Sequence, residues 1–427
     1  MSQIPTDPLD EPLRPRAQPL IKFRRTRSKS TENNADDFGH ERRHRHSRRM
    51  RSRRRRGQNQ LRSPSEIVGM LAALRWLRRA FFAGSLVLSI GLGWVAFYLE
   101  QEMENNLFLT TLSYLPIWVP LLPLLAMTPL ALFLSRLSAI ILTVSGACYV
   151  FMHVLPQHGS GPMARTAPMT ELDSFRVMSF NAGQSHRVDF AALIKEMQPD
   201  IILLQEARGW LRGKDLIPEM VQFPFREEKG EFAILSKHPL QESGPPVVNI
   251  LTHDHHKPCA YRHRLFVYGR RVTVFNVHMP SPRDLLKWNA GGACLLGLVN
   301  WMSPGISAMH RERTLPWRDR AFALEQLATV VEKEPNLAVV GGDLNCPPWG
   351  GGYLALRRTL KDCFSEAGHG FGASFPADTS RLPDFVAPWV RLDHLFVSNE
   401  AHVSRWFTTR SGQMQHLPVC AEIIPQH

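Results

Sequence analysis

No two of the six cysteines stand in a C-x-x-C spacing; Cys148, Cys259, Cys294, Cys346, Cys363 and Cys420 lie far apart. That excludes a disulfide framework and a cysteine-based zinc site, and leaves at most one unassigned pairing. The run Gly350-Gly351-Gly352 lacks the Lys-Ser/Thr of a nucleotide P-loop and reads as a flexible loop. Net charge is absent from most of the chain. Residues 1–79 hold 21 Lys or Arg and 8 Asp or Glu, whereas the remainder holds 30 of each. The overall +13 therefore belongs to the tail and says nothing about the substrate of the folded part. A neutral body also argues against a strongly basic duplex-DNA surface. No repeat is visible at the level of motifs, although a pseudo-symmetric fold can hide one.

What is present falls into four segments. Residues 1–64 are rich in Pro, Arg, Ser and His, and the like charges of Arg53 to Arg56 predict an extended, disordered tail. Its roles are acidic-lipid contact, nucleic-acid contact or the setting of membrane orientation, and the last is favoured. Residues 65–156 carry three uncharged or nearly uncharged runs, about 80–99, 107–135 and 137–155, read as transmembrane helices. Arg75, Arg78 and Arg79 precede the first run, and Arg136 separates the second from the third. With the tail cytoplasmic, three crossings put the C-terminal part outside the cytoplasm. Pro116, Pro120, Pro123 and Pro129 are the weak point of the second run, and two crossings would reverse that side. The first apolar run begins too far along the chain for a cleavable signal peptide. A linker, 157–173, leads into a globular segment, 174–427.

Short apolar runs in this segment predict strands near 175–181, 200–205, 231–236, 246–251, 264–268, 271–278, 337–342, 392–397 and 418–424. Helical patterns fit 187–197 and 319–333. Many short strands with few helices indicate an α/β sandwich. Six of the predicted strands carry polar residues at an end. Asn181 closes the first, and Gln205-Glu206 the second. Asn276-Val277-His278 and Gly342-Asp343-Leu344-Asn345 close two more, Arg391-Leu392-Asp393-His394 opens another, and Gln415-His416 opens the last. Asp343 and Asn345, spaced i and i+2, project to one face. Each cluster alone is also readable as a satisfied turn, but six at strand–loop junctions describe a site.

In their order, the Q-E at 205–206, N-V-H at 276–278, G-D-L-N at 342–345, R-L-D-H at 391–394 and H-L-P-V at 416–419 resemble the endonuclease/exonuclease/phosphatase superfamily. The resemblance runs from about 174 to 425. It implies a four-layer α/β/β/α sandwich of two packed mixed sheets, and Mg²⁺-dependent hydrolysis of phosphoesters, with Mn²⁺ as the alternative ion. It implies Glu206 as principal metal ligand with Asn181 beside it, and Asp343 as orienting or activating the attacking water and contributing to the metal. Asn345 would hold phosphate or water, His278 would donate to a phosphoryl oxygen, and Asp393 would orient His416. The chemistry agrees: an anionic phosphodiester needs charge neutralisation, an oriented water and help for the leaving oxygen. Mg²⁺ accepts few carboxylates and keeps its waters.

Two positions depart from the family's pattern. Gln415 stands where an aspartate is common, which implies single-metal chemistry, weaker metal binding or impaired catalysis. Gly183 stands where some nuclease members carry Asp, which leans away from apurinic-site nucleases. The function expected is a membrane-anchored phosphodiesterase or endonuclease-like hydrolase. The alternatives are a silent member that binds a phosphorylated ligand or lipid, and a protein whose working part is the tail. The expected partners are the lipid bilayer and a phosphodiester, whether nucleic acid, phosphoinositide or phospholipid headgroup; no obligate protein partner is evident. Three further features have a bland and a sharp reading. His253-Asp254-His255-His256 reads as a solvated loop rather than a metal cluster. The apolar part of 283–317, around Leu295 to Met302, reads as a packed helix or a membrane-resting insertion. Arg311, Arg313, Arg318 and Arg320 read as a solvated face or as phosphate contacts.

Overall fold

The computed structural model describes residues 63–426 apart from 100, 102, 162–173, 184–187, 212–217, 253–254, 283–290 and 378–386. The Arg-rich tail through 62, most of the linker, and His253-Asp254 therefore lie outside the described residues. The chain divides into two units, Met1–Leu71 and Ala72–His427, and the tertiary contacts that follow are within the second.

Helix α1, Pro64–Leu99, starts at a reciprocal cap. The Glu66 amide donates to Ser63 Oγ at 3.2 Å, and the Ser63 amide donates to Glu66 Oε2 at 2.8 Å. Its 36 residues, and the 22 of Arg136–Gln157, make two helices long and apolar enough to cross a membrane by length and composition. The second begins as α4, Arg136–Tyr149, and continues through a π turn and a 3₁₀ turn.

The apolar run at 107–135, expected as one span, is not one helix. It contains α2, Leu107–Ser113, then a turn, then α3, Leu122–Leu134. Pro116 and Pro120 fall in the break, where a proline has no N–H to donate and its ring clashes with the preceding turn. Residues of α1, α3 and α4 (Leu92, Leu124, Ala131, Ala139, Leu142, Tyr149) share one buried cluster. Ser135 closes α3 and caps α4, accepting from the Ser138 amide at 3.3 Å, so these two helices run as a hairpin. The Tyr149 hydroxyl donates to the Ile117 carbonyl at 3.1 Å, tying the hairpin's two ends together.

The rest is a sandwich of two six-stranded sheets. One is formed, in spatial order, by β13 (Ala401–Thr408), β14 (Val419–Pro425), β2 (Phe175–Asn181), β3 (Ile201–Gln205), β5 (Phe232–Ser236) and β4 (Phe225–Lys229). The other is formed by β10 (Lys361–Asp362), β12 (Asp393–Val397), β9 (Leu337–Asp343), β8 (Arg270–His278), β7 (His255–Val267) and β6 (Leu240–Thr252). A two-stranded sheet, β1 (Gly159–Ser160) with β11 (His369–Gly370), stitches the chain just after the apolar helix to the domain. Each large sheet has one parallel pair near its centre, β2/β3 or β8/β9, flanked by antiparallel pairs. The two sheets thus repeat one pattern that no motif in the sequence reveals.

Strand alternation builds the layers. Val177, Leu203, Val274, Val339 and Leu395 face the space between the sheets. On the outer face of the first sheet, Met178, Phe180, Ile202 and Leu204 pack with Leu193 and Met197 of α5, Phe190–Met197. On the outer face of the second, Phe275, Val277 and Val340 pack with Leu324, Leu327 and Val331 of α7, Pro304–Glu332, and with Tyr353 of α8, Gly351–Arg357. The remaining helices are α6, Gly291–Val299, and α9, Cys363–Ala367. The expected α/β/β/α order is therefore present. At Gly341 the sheets approach so closely that a Cβ would lie 2.8 Å from Leu203 of the facing sheet, and it would also meet Leu395 of the neighbouring strand at 2.7 Å.

Candidate active site

Four of the six polar clusters end parallel strands, and a parallel pair brings both C-termini to one edge. Asn181 pairs with Gln205 across β2/β3, and His278 pairs with Asp343 across β8/β9. Antiparallel β12 adds Asp393, also opposite Asp343. Because the sheets are packed face to face at Gly341, the two edges form one centre. Asn181 Nδ2 reaches from the first sheet to Asp343 Oδ2 of the second at 2.9 Å, and to Glu206 Oε1 at 3.4 Å.

Asp343 is buried and held on both oxygens. Its Oδ1 accepts from the Asn345 amide at 2.8 Å, and its Oδ2 accepts from Asn345 Nδ2 at 3.0 Å. Asn345 Nδ2 also donates to the Met279 carbonyl at 2.9 Å. Asn345 thus fixes Asp343 through both its backbone and its side-chain amide, and it also lines the pocket where the resemblance implied a hold on phosphate or water. Glu206 and Asn345 occupy left-handed backbone, with φ of 50° and 45°. Such conformations cost energy in non-glycine residues and cluster where side-chain direction matters.

Two imidazoles flank this carboxylate. His416 Nδ1 bonds Asp393 Oδ2 at 2.8 Å, and its Nε2 lies 3.8 Å from Asp343 Oδ2. Burial alone would discharge the ring, but Asp393 and then Asp343 outweigh it and raise the imidazole to about 9. These carboxylates thus favour the protonated ring of His416. Ser374 Oγ accepts from the amides of Leu392 and Asp393, at 3.1 Å each, and fixes the start of β12. His278 Nδ1 bonds Glu231 Oε1 at 2.9 Å, which leaves Nε2 buried without a hydrogen bond, 3.7 Å from Glu206 Oε1 and 3.9 Å from Asp343 Oδ2. Burial opposes ionisation of Glu231, but His278 and Lys257 lower its carboxyl to about 2. Sequence reasoning passed over Glu231; its signal was an acid following Gly230 at the head of a predicted strand.

A pocket of about 240 Å³ opens onto Glu206, Asp343, Asn345 and His416. Its other wall comes from the segment expected to lie in a membrane: Thr111, Tyr114 and Leu115 face the carboxylates. Tyr114 donates its hydroxyl to the Asn345 carbonyl at 2.7 Å, and its own carbonyl accepts from Trp389 Nε1 at 3.1 Å. Arg320, read as a solvated or phosphate-facing residue, is buried and donates to the same Asn345 carbonyl. Gln415 lies next to Gly183, 3.6 Å from where a Cβ would stand. Of the cluster read as a solvated loop, His255 and His256 lie instead in β7, paired with Thr252 and Leu251, and His253-Asp254 lie outside the described residues. In the 283–317 insertion, α6 packs on α2, and Asn106 Nδ2 donates to the Gly297 carbonyl at 3.0 Å.

The donor set suits a divalent cation. The ligand atoms of Asp343, Asp393 and His416 lie within 4.8 Å of one another, a group that can hold a metal ion. Asp393 Oδ1 is buried without a hydrogen-bond donor. Glu206, whose side chain is 20% exposed, turns a carboxylate to the pocket beside the Asn181 amide. Glu206, Asp343 and Asn181 add the oxygen donors that a hard cation prefers.

The chain is also similar to solved structures. A humanized TDP2 of D. rerio aligns with a TM-score of 0.42 at 13% identity, over 59% of this chain and 99% of that one. A mannosyl-6-phosphatase of Bacteroides thetaiotaomicron gives 0.39 at 17% identity, over 58% and 99%. A truncated TDP2 of Caenorhabditis elegans gives 0.39 at 19%, over 59% and 98%. No curated protein matches the chain. Over residues 178–413, more than half of its length, the sequence matches the model of the Endonuclease/Exonuclease/phosphatase family, and the chain belongs to that family.

Proposed function

We propose that this chain is a membrane-anchored phosphoester hydrolase of the phosphodiesterase type, dependent on Mg²⁺ or Mn²⁺. The observation that supports it most is the meeting of His278, His416 and Glu206 around Asp343, contributed by both sheets, with nitrogen–oxygen separations of 3.7–3.9 Å. Glu206 and Asn181, with Asp343, would hold the ion, which when bound neutralises charge on the phosphate. Asp343, fixed by Asn345 and Asn181, accepts a hydrogen bond from the attacking water and turns its lone pair to phosphorus. His416, kept cationic by Asp393, donates from Nε2 to oxygen that gains charge in the transition state. His278, held through Nδ1 by Glu231, offers Nε2 to a phosphoryl oxygen.

The tether reading rests on α1 and on the helix Arg136–Gln157. The α3/α4 hairpin leaves the catalytic part and returns to it, so only α1 carries the chain across. Arg75, Arg78 and Arg79 precede the apolar half of α1, and Arg136 stands at the hairpin's turn. These charges favour a cytoplasmic tail and a catalytic part on the opposite face.

Full-length protein in detergent should hydrolyse methyl p-nitrophenyl phosphate with Mg²⁺, lose that activity in EDTA and regain it on adding Mg²⁺ or Mn²⁺. Glu206→Gln and His416→Ala should each lower kcat/KM by roughly 10²–10⁴-fold. Unchanged turnover in both variants would rule this site out. Gln415, an amide where the family commonly has an acid, motivates a second reading as a binder without turnover. Activity that appears only in Gln415→Asp would favour it.

A further inference from the structure

The catalytic pocket has an apolar neighbour that shares its wall. A second pocket of about 240 Å³ is lined by Ile117, Trp118, Trp349 and Phe371, and it has Trp389 and Val390 in common with the first. Trp389 is pinned between the two by its hydrogen bond to the Tyr114 carbonyl. Trp118 and Phe371 are 48% and 49% exposed along this groove. The groove leads to the apolar helices. Gln157, the last residue of the helix Arg136–Gln157, lines it, and Phe371 meets the ring of the next residue, His158, edge-on at 5.2 Å. Trp118 stands immediately before the turn into α3. Among the described residues lining the groove the one charged side chain, Arg391, is buried and bonded to Asp362 at 3.0 Å.

This arrangement limits what can lie beside the phosphate. A sugar or nucleoside there could stack on the aromatic rings, but among the described lining residues its hydroxyls would find few side-chain partners besides Gln157. A hydrocarbon chain loses nothing and gains the burial of each methylene. The groove's far end also opens where such a chain would come from, at the ends of the helices read as membrane-spanning.

We infer that the substrate is an amphiphile of the bilayer, a phosphoester carrying a hydrocarbon chain. Its phosphate lies at Asp343 and His416, and its chain lies in the groove from Val390 past Trp389 to Trp118 and Phe371. This rests on the hydrolase reading above and adds the substrate class. In the reaction, the oxygen of water forms a bond to phosphorus and the ester P–O bond breaks. The leaving oxygen ends as an alcohol or alkoxide that takes a proton, and the phosphorylated product keeps the water's oxygen. Segment 111–118 is then a specificity determinant of the site rather than a mere link between helices.

Alkyl p-nitrophenyl phosphates test this, because the leaving group stays constant while the chain grows. With full-length protein, kcat/KM should rise from the methyl to the octyl ester by at least tenfold, against a ceiling of about fourfold for each fully buried methylene. Ala373→Phe, which fills the groove, and Phe371→Ser, which opens it to water, should each bring the octyl-to-methyl ratio toward one. A flat chain-length series with turnover of every ester overturns the lipid inference and leaves the hydrolase reading standing. If no ester turns over, the hydrolase reading fails, and occupancy of the groove is read directly. Quenching of indole fluorescence by 8-bromooctyl phosphate should then be saturable in the wild type and weaker in Ala373→Phe. Equal quenching in the two proteins overturns the groove as a chain site.

Discussion

His394 shows how one residue can look like part of the site and serve the frame. It follows Asp393 directly, yet its Nε2 bonds the Cys346 carbonyl at 2.9 Å, and its Nδ1 faces Arg391 at 3.3 Å. Burial first, and the Arg391 charge second, depress its imidazole to about 3. Asp362, although buried, is held below the usual carboxylate range by Arg391, with hydrogen bonds from Tyr353 and Ser365. The sign of the linkage follows. Unfolded histidine binds a proton below about pH 6.5, whereas His394 in the folded chain stays neutral down to about 3. The unfolded state therefore takes up the extra proton, and stability falls as pH drops through that window. Relative to His394→Gln, the wild type should lose about 2 kcal/mol between pH 7 and pH 5. Urea unfolding at the two pH values measures it, and a constant difference between the proteins contradicts a neutral His394. The sequence revealed Asp393 and His416 by their place at strand ends. It could not separate His394 from them, because which face a residue at the head of β12 presents is fixed by register with β9.

At the scale of elements, the strands missed in the sequence share a cause. Phe225–Lys229 and Ala401–Thr408 are the two edges of their sheet. An edge strand has one open side and tolerates charge, so FREEK carries no apolar run to read. The strands expected at 246–251 and 264–268 are two parts of a longer hairpin, β6/β7, the first next to its turn and the second at its open end, and β6 continues back through Gly244 and Pro245. Proline survives there because β6 is also an edge. Helix α7 runs well ahead of the expected 319–333, starting at the Ser303 cap and passing over Pro316. Helix α2 is short and depends on its cap and its neighbours. Asn106 Oδ1 accepts from the amides of Phe108 and Leu109, at 2.9 and 3.3 Å. Asn106→Ala should cost about 1 kcal/mol or more, since it also removes the bond to Gly297. Because α2 carries Thr111 to the pocket, the same variant should raise KM more than it lowers kcat, and should speed hydrogen exchange in 107–114. A change in kcat alone, with exchange unaltered, would disconnect α2 from the substrate.

For the whole molecule, the helix pattern carries a prediction about sides. On the membrane-anchored reading proposed above, with α1 crossing and α3 and α4 returning to the same side, the N-terminal tail and residue 426 are expected on opposite faces of the membrane. Tags at the two ends should differ in protease accessibility in intact cells, the C-terminal one being cleaved and the N-terminal one only after permeabilisation. Equal protection of both tags would exclude a single crossing by α1.

The family was legible in the sequence because its chemistry sits at strand ends. Apolar runs that stop at Asn181, Glu206, His278 and Asp343 are local signals, set by the burial of each strand and by glycines that admit no side chain. The sandwich class follows from the same runs. Tertiary structure alone decided the convergence of those ends, through parallel pairing within each sheet and the close sheet contact at Gly341. It also decided that Glu231 supports His278, that Asn345 serves Asp343, and that Thr111, Tyr114 and Leu115 leave the apolar run to wall the site. Hydropathy reads 107–135 as one span because it sums residues along the chain. The fold breaks it because Pro116 and Pro120 interrupt the helical hydrogen bonds, and the catalytic surface holds the freed segment through Tyr114.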